Sequence, residues 1–210
     1  MSKMQSIIGV LGLSLLGSCL ALAQNAPAEH PMTFFITSVG TGKGGDLGGL
    51  AGADAHCAKL AMEAGSTIRN WKAYLSTQGP NAVNAKDRVG KGPWYNAKGV
   101  LVGQDLAEIH GMGHRFTATN MLDERGRLLP GGGYVPNRHD ILTGSKLDGT
   151  AFPAGDDMTC NNWSSSSAGK AKIGHFDRAA WNSAHDTRGC SQPQLISTGG
   201  DGLFYCFAAQ

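Results

Sequence analysis

Between residues 175 and 188 the sequence concentrates side chains that could bind a ligand. Aromatic faces stack on the C–H surfaces of sugars, while amide, carboxylate and guanidinium groups hydrogen-bond hydroxyls. The stretches GHFDR and WNSAHDTRGC supply all of these groups within 14 residues, and TCNNWSS adds another tryptophan upstream. We therefore predict a ligand-binding site made of Trp163, His175, Asp177, Trp181, Asn182, His185, Asp186 and Arg188.

The same residues permit two other interpretations. In a structural one, Trp181 packs in the core and neighbouring opposite charges fix loops as ion pairs, namely Asp177–Arg178 and Asp186–Arg188. In the other, neutral imidazole and carboxylate ligands bind zinc. The residues of that zinc site would be His175, Asp177, His185 and Asp186. We favour a site without a metal, with zinc or calcium as less favoured cofactors.

Two further groups have the residue types of a metal site without its spacing. One surrounds Cys160 and comprises Asp156, Asp157, Asn161 and Asn162. It lacks the alternating ligands of a calcium loop, so we expect these residues to form turns. His110 and His114 in HGMGH have the i, i+4 spacing of a zinc-protease helix. The glutamate of that motif is missing and two glycines disfavour a helix, so a loop is expected.

The sequence offers little for catalysis. It contains no Gly-x-Ser-x-Gly motif for a serine nucleophile. We expect every cysteine of the mature chain to be in a disulfide, which leaves no thiol nucleophile. No pair of carboxylates stands out as acid and base. We therefore expect a binding protein and not an enzyme.

The N-terminus and the cysteines indicate an exported protein. Lys3 precedes an apolar run of 17 residues, Ile7–Ala23, that ends in a small-x-small pattern. This predicts a signal peptide over residues 1–23, cleaved before Gln24, with lipidation of Cys19 as a less favoured alternative. The remaining cysteines are Cys57, Cys160, Cys190 and Cys206. An even count in an exported chain predicts two disulfides, and spacing alone leaves all three pairings open.

Composition narrows the class of protein further. Glycine accounts for 31 of 210 residues without a period, and only 16% of residues are charged. Both values favour a loop-rich domain over a helix bundle or collagen. The net charge of +2 and the scattered basic residues give no indication of nucleic acid as a partner. We expect a short N-terminal segment at 24–32 and one domain over 33–210, without a membrane span in the mature chain.

Short elements must position these side chains. Ala53, Cys57, Leu60, Ala61 and Ala64 follow a helical period, so Cys57 should lie on the buried face of a helix. Asp54 would occupy the first turn of that helix. We expect buried strands at Met32–Ser38, Trp71–Thr77 and Gly202–Phe207, a hairpin over Pro93–Val102, a second hairpin-like segment near Asp148-Gly149 and a short helix over Asp105–Gly111. This combination predicts the α+β class.

Several stretches resemble one known superfamily. GGLAGADAHCAKLAMEAG followed by WKAYLST resembles the opening of C-type lectin-like domains, and is nearest to the endostatin-like domains that end collagens XV and XVIII. WYNAKGVLV, ILTGSKLDGT and TCNNWSS continue that resemblance. GHFDR, WNSAHDTRGCS and GGDGLFYCFA resemble a group of exported bacterial lectin-like proteins. The resemblance covers roughly residues 33–207, and the cysteine positions are its most specific part.

The resemblance implies a fold and a disulfide pairing. The implied fold has short helices on a small, mostly antiparallel twisted sheet with long loops. In such domains the helix cysteine pairs with the last-strand cysteine and the middle two pair together. For this chain that implies Cys57–Cys206 and Cys160–Cys190.

The resemblance does not carry the family's metal sites with it. Calcium-dependent lectins have Trp-Asn-Asp where this chain has Trp181-Asn182-Ser183, so one calcium carboxylate is missing. Gln192-Pro193-Gln194 follows Cys190, whereas the lectins' proline motif lies well before the tryptophan. Only His30 precedes the first strand, so the zinc site of endostatin is not implied either.

These observations predict an exported lectin-like binding module. Its ligand would be a glycan or a surface ligand, bound through the C-terminal long-loop face without the usual calcium-sugar motif. The alternative is a protein–protein interaction module of the envelope or extracellular matrix. We expect the protein in the periplasm, outside the cell or at the cell surface.

Overall fold

Short strands and helices alternate along the chain in the computed structural model, which describes residues 30–209. The strands are β1 (Phe34–Ile36), β2 (Trp71–Ala73), β3 (Trp94–Tyr95), β4 (Leu101–Gly103), β5 (Asp140–Leu142), β6 (Lys172–His175), β7 (His185–Asp186) and β8 (Gly200–Ala208). The helices are α1 (Gly49–Glu63), α2 (Leu106–Ile109), α3 (Cys160–Trp163) and α4 (Gln192–Ile196), with a 3-10 turn at Ala85–Asp87. The expected signal peptide at 1–23, its cleavage before Gln24 and Cys19 lie outside the described residues.

The main sheet is built around β8. Its strand order is β1-β8-β5-β6-β7, and β2 pairs with β8 as well. The β8 strand runs antiparallel to β1 and β2 and parallel to β5, while β5–β6 and β6–β7 are antiparallel. Strands β3 and β4 form a separate hairpin. The architecture is therefore mixed, with a mostly antiparallel sheet, as the α+β prediction requires.

Alternate side chains of β8 serve two different cores because successive residues of a strand point to opposite faces. Phe204 and Cys206 pack with the α1 side of the sheet. Leu203, Tyr205 and Phe207 pack in an aromatic cluster on the other side, together with Phe34, Tyr74, Trp94, Phe116 and Trp181. The residues of β8 from Gly202 to Ala208 are all buried. This strand therefore joins both halves of the hydrophobic interior.

Helix α1 has the buried face that its period predicts. Ala53, Cys57, Leu60 and Ala61 are buried. Cys57 forms a disulfide with Cys206 of β8, which fixes the helix to the sheet across 149 residues of sequence. The placement of Asp54 in the first turn is wrong, because the helix begins at Gly49. Its carboxylate pairs with the guanidinium of Arg88 instead, at 2.7 Å.

The second disulfide holds an unusual turn. Cys160 bonds to Cys190, so the pairing that the resemblance implied is confirmed for both disulfides. The one-turn helix α3 that begins at Cys160 is left-handed, with φ values of 47°, 54°, 54° and 68° from Cys160 to Trp163. None of these four residues is glycine, the residue that adopts such angles without steric strain.

Most predicted elements are present, although several are shorter than expected. The buried first strand, the hairpin with its turn at Asn96–Gly99 and the final strand are confirmed. In the hairpin turn, the side chain of Asn96 accepts hydrogen bonds from Lys98 and Val100. The hairpin-like segment near Asp148-Gly149 is also present as a short one, because Ser145 and Ala151 form an antiparallel bridge across the turn and the N–H of Lys146 donates to the Thr150 carbonyl.

Among residues 30–209, none of the helices has the length and apolar character needed to traverse a lipid bilayer.

Candidate functional site

Four polar side chains meet at one end of the central sheet, and we call them the histidine–aspartate cluster: His139, Asp140, His175 and His185. Asp140 opens β5 and pairs in register with His175, the last residue of β6. His185 opens β7, the next strand, where it pairs with Ile173. His139 immediately precedes β5. Residues 35 or more positions apart in sequence are thus brought together by strand pairing.

A glycine in β6 leaves room for the segment that connects β6 to β7 and carries the chain to His185. Gly174 lies beside His175 in β6, and a Cβ atom built there would lie 1.7 Å from the carbonyl oxygen of Trp181. Because that atom belongs to the backbone, a larger residue would displace the whole segment between β6 and β7. The Trp181 carbonyl accepts a hydrogen bond from Tyr205 in the sheet at 2.7 Å. The absence of a side chain at Gly174 therefore determines how closely the segment that leads to His185 packs on the sheet.

The Asp140 carboxylate lies at the centre of the cluster. Its Oδ1 atom is 3.2 Å from Nε2 of His139, 3.2 Å from Nε2 of His175 and 3.6 Å from Nε2 of His185. The residue is only 2% exposed, and neither carboxylate oxygen accepts a well-aligned hydrogen bond from the described residues. The nearby Thr198 hydroxyl donates its one proton to the Leu195 carbonyl at 3.0 Å.

The imidazole of His139 is held in a defined orientation. Its Nδ1 atom lies 3.1 Å from Oδ1 of Asp177, and Oδ2 of Asp177 accepts a hydrogen bond from Gly132 N–H at 2.7 Å. Burial opposes ionisation of Asp177, but these two contacts keep its pKa below the usual value. An ionised carboxylate only accepts hydrogen bonds, so Nδ1 of His139 carries the proton. The other ring nitrogen, Nε2, faces Asp140.

His185 is oriented in the same way by the backbone. Its Nδ1 lies 3.0 Å from the carbonyl oxygen of Asp186, which can only accept a hydrogen bond. The Nδ1 atom therefore carries a proton, and Nε2 faces Asp140 at 3.6 Å. The His185 side chain is 43% exposed. Of the cluster, this imidazole is the one that connects the buried carboxylate to solvent.

Burial sets the protonation states at the centre. It lowers the pKa of His175 to about 4, with further lowering from neighbouring His139 and His185. The His175 ring stacks on the His139 ring with centroids 4.4 Å apart, and its Nε2 has no hydrogen-bond partner among the described residues. Burial also raises the pKa of Asp140. Near neutral pH, His175 is thus a neutral imidazole with an unused ring nitrogen.

Three of the predicted ligand-binding residues are buried and cannot contact a ligand at the surface. Trp163, Trp181 and Asn182 are at most 2% exposed. The two indole N–H groups donate to the carbonyls of Ser76 and Ile109. Trp181 therefore packs in the core, as the structural interpretation held, and neither indole presents a free face to solvent.

The predicted ion pairs are only partly formed. Asp186 pairs with Lys170 at 2.9 Å and Lys172 at 2.5 Å, not with Arg188, which is exposed. Asp177 lies 3.9 Å from Arg178, but its shorter contact is with His139. The zinc set considered from sequence is therefore divided: His175 and His185 meet, while the two aspartates lie outside the centre.

The two other candidate motifs form turns and loops. Asp157 accepts hydrogen bonds from the backbone of Thr159 and Asn161, as expected of a turn residue. His110 caps the end of α2, and His114 follows in the loop, where it contacts the Ala179 carbonyl. These two histidines do not share a helix, in agreement with the loop prediction.

His139 and Asp140 were missed at the sequence level. Their signal is a polar pair immediately before the apolar stretch ILT, but such pairs are common at strand ends. Only the pairing of β5 with β6 brings them to His175. The described groups whose ligand atoms could surround a metal ion are His139, Asp140 and His175, which lie within 4.8 Å of one another.

No protein-family model matches the sequence. A search of curated proteins gave no significant match either.

Proposed function

We propose that the protein is an exported binding module of the C-type lectin-like fold. Its two disulfides are those expected of a chain that matures in an oxidising compartment, and their pairing is the one that the resemblance implies. The small, mostly antiparallel sheet with a helix fixed to its last strand accords with that fold. In this proposal the protein binds a glycan or a surface ligand and performs no chemistry.

The histidine–aspartate cluster is the observation that carries the proposal. Buried polar groups in folded proteins almost always have partners, and a carboxylate without donors calls for an explanation. Asp140 itself is buried, but His185 lies 3.6 Å from its carboxylate and is partly exposed to solvent. A binding site explains this arrangement, because the partners are then supplied by what is bound.

An exposed aromatic ring lies close to the cluster and offers the stacking surface that the buried tryptophans do not. Tyr134 is 67% exposed and borders a surface cavity of about 360 Å³ together with Phe176 and Asp177. Asp177 contacts His139 of the cluster. A sugar ring stacked on Tyr134 would therefore lie beside the polar groups that could bind its hydroxyls.

The same segment also supports the second candidate function, a protein–protein interaction. Leu128, Tyr134 and Val135 are 60%, 67% and 99% exposed. Leu128 and Tyr134 line the same surface cavity, and exposed apolar side chains grouped in this way suit a protein partner. Both candidate functions use the same surface and differ only in the ligand, a glycan in one and a protein in the other.

A glycan array probed with oxidised protein that begins at Gln24 tests the proposal, in buffers with and without calcium. We expect calcium-independent binding that is lost in Tyr134→Ala and retained in Met62→Ala, a control at an exposed position on α1. Equal loss in both variants, or no glycan bound by the wild type, would overturn the lectin proposal. Capture of a protein through the Tyr134 surface would then favour the second function.

A further inference from the structure

We propose that His139, Asp140, His175 and His185 form a binding site for a divalent transition-metal ion of the zinc class. This inference rests on the same cluster as the glycan proposal, but its test is metal binding by the protein alone, so it can fail or succeed whether or not a glycan binds. The site also differs in residues from the calcium and zinc sites of the families that the sequence resembles.

The ligand atoms of His139, Asp140 and His175 all lie within 4.8 Å of one another, and Nε2 of His185, 3.6 Å from Asp140, can supply a fourth ligand. Zinc binds histidine nitrogens at about 2.0–2.1 Å, so neighbouring ligand atoms of a tetrahedral site lie about 3.3 Å apart. The three Nε2 atoms of the cluster lie 3.2, 3.2 and 3.6 Å from Oδ1 of Asp140. Small side-chain rotations that centre an ion among them would complete the site.

The hydrogen bonds outside the cluster are those of metal-binding histidines. Such a histidine usually donates its other N–H to a carboxylate or backbone carbonyl, which directs the lone pair at the ion. His139 donates to Asp177, and His185 donates to the Asp186 carbonyl. Asp177, which the sequence suggested as a direct ligand, would thus act as a positioning residue for His139.

Unpartnered atoms in the cluster also favour a cation. Neither oxygen of the buried Asp140 carboxylate accepts a hydrogen bond from the described residues, and Nε2 of His175 has no partner among them either. A divalent cation bound between these atoms would provide the partner that they lack. Neutral imidazole suits zinc, cobalt, nickel and copper, whereas calcium and magnesium prefer sites of oxygen ligands. The residue set therefore selects the zinc class.

Access to the site is through His185. The other members of the cluster are largely buried, while the His185 side chain is 43% exposed. An ion can bind first to this imidazole and then move to the buried ligands. Movement of His185 would also open a coordination position to solvent, where a ligand bound at the surface could reach the ion.

Cobalt provides a direct probe of the proposal. We would treat tag-free, oxidised protein with chelator, remove the chelator and titrate Co²⁺ while recording visible absorption. We expect one equivalent to give the intense d–d bands of a tetrahedral site and Zn²⁺ to displace it, with Ca²⁺ and Mg²⁺ without effect. Absence of these bands together with absence of stoichiometric zinc in the wild type would overturn the inference.

Variants locate the ion. His175→Gln should lose at least 100-fold in affinity, and Asp177→Asn should lose roughly 10-fold to 100-fold, since outer-sphere partners contribute that much. His56→Gln is the matched control because His56 lies outside the cluster on α1, with Nε2 against the Val39 carbonyl. Near-UV circular dichroism verifies that each variant is folded. Equal cobalt affinity in all three variants would place the ion elsewhere and refute the assignment.

Discussion

Asp54 shows how the role of a single residue depends on a distant partner. Both of its carboxylate oxygens accept hydrogen bonds from Nη2 of Arg88, at 2.7 and 2.8 Å, and Oδ1 also accepts from the N–H of Ala73. The Arg88 side chain is 10% exposed and that of Asp54 is 16% exposed. This pair ties α1 to β2 and to the loop that follows β2.

Replacement of Asp54 by alanine should lower the free energy of unfolding by about 3 kcal/mol, because it leaves a buried guanidinium without its partner. Urea denaturation measures the loss. Glu63→Ala on the same helix is the control. It removes exposed contacts with Lys59 and Arg125, each at 3.9 Å, and should change stability by less than about 0.5 kcal/mol. A loss for Asp54→Ala no larger than that of the control would contradict this account.

His110 is held neutral by its surroundings. Its Nδ1 donates to the Leu106 carbonyl at 2.8 Å, so Nε2 accepts from the hydroxyl of Tyr74, also at 2.8 Å. That hydroxyl in turn accepts from the amide of Asn182. Burial is the main cause that lowers the pKa of His110 below its usual value. The sequence predicted a loop at this histidine, but not the network.

The lowered pKa of His110 makes stability depend on pH. Below about pH 6.5 the unfolded chain binds a proton at this residue and the folded chain does not, so the unfolding free energy falls as the pH falls toward the folded pKa. Urea denaturation of chelator-treated protein at pH 8, 6.5 and 5 measures this dependence. We expect a shallower fall for His110→Gln than for the wild type or for His56→Gln. Parallel curves for all three proteins would show that His110 is not the source.

At the scale of elements, the left-handed helix α3 departs furthest from what local sequence predicts. Each non-glycine residue in this conformation costs roughly 1–2 kcal/mol, with asparagine penalised less than most. Asn161 and Asn162 occupy its two central positions. The Cys160–Cys190 disulfide and the buried Trp163 fix its two ends. Tertiary contacts at both ends thus maintain a turn that its residues alone would not select.

Substitutions at Asn161 measure this strain, because its side chain is exposed and its φ is 54°. Asn161→Ala should be less stable than Asn161→Gly by about 1 kcal/mol. Both variants lose the same asparagine contacts, so their difference in urea denaturation reports the backbone conformation. Asn161→Ala equal to or more stable than Asn161→Gly would show that the turn is not left-handed in solution.

Elements with a local signal were predictable, and those that depend on strand register were not. The period of α1 and the apolar runs of β1 and β8 are properties of neighbouring residues, and all three appear where expected. The histidine–aspartate cluster depends on β5 lying beside β6, which no local pattern specifies. Of the cluster, His175 and His185 were predicted from their residue types, whereas His139 and Asp140 required the fold.

At the scale of the whole molecule, two disulfides of very different span hold the chain. Cys57–Cys206 closes 149 residues and Cys160–Cys190 closes 30. The longer loop restricts the unfolded chain more, so its loss should be more damaging. By the chain-entropy relation, the two bonds contribute roughly 5 and roughly 3.6 kcal/mol.

Paired alanine replacements test this ranking. Cys57→Ala with Cys206→Ala should lower the unfolding free energy by more than Cys160→Ala with Cys190→Ala, by about 1.5 kcal/mol if chain entropy dominates. Each double variant retains the other disulfide and so serves as the control for the other, with urea denaturation as the measurement. The reverse order would mean that strain or packing around α3 outweighs chain entropy.

The central position of β8 has a consequence for the order in which the chain can fold. Every other described strand and helix leaves the ribosome before β8, yet β1, β2 and β5 all require it as their partner. The buried face of α1 and the thiol of Cys57 must therefore wait for the last part of the domain to be translated. During that interval Cys160 emerges first, and oxidation at that stage can only link Cys57 to the wrong cysteine. Biogenesis of this protein should thus depend on delayed oxidation or on a disulfide isomerase that corrects the early pairing.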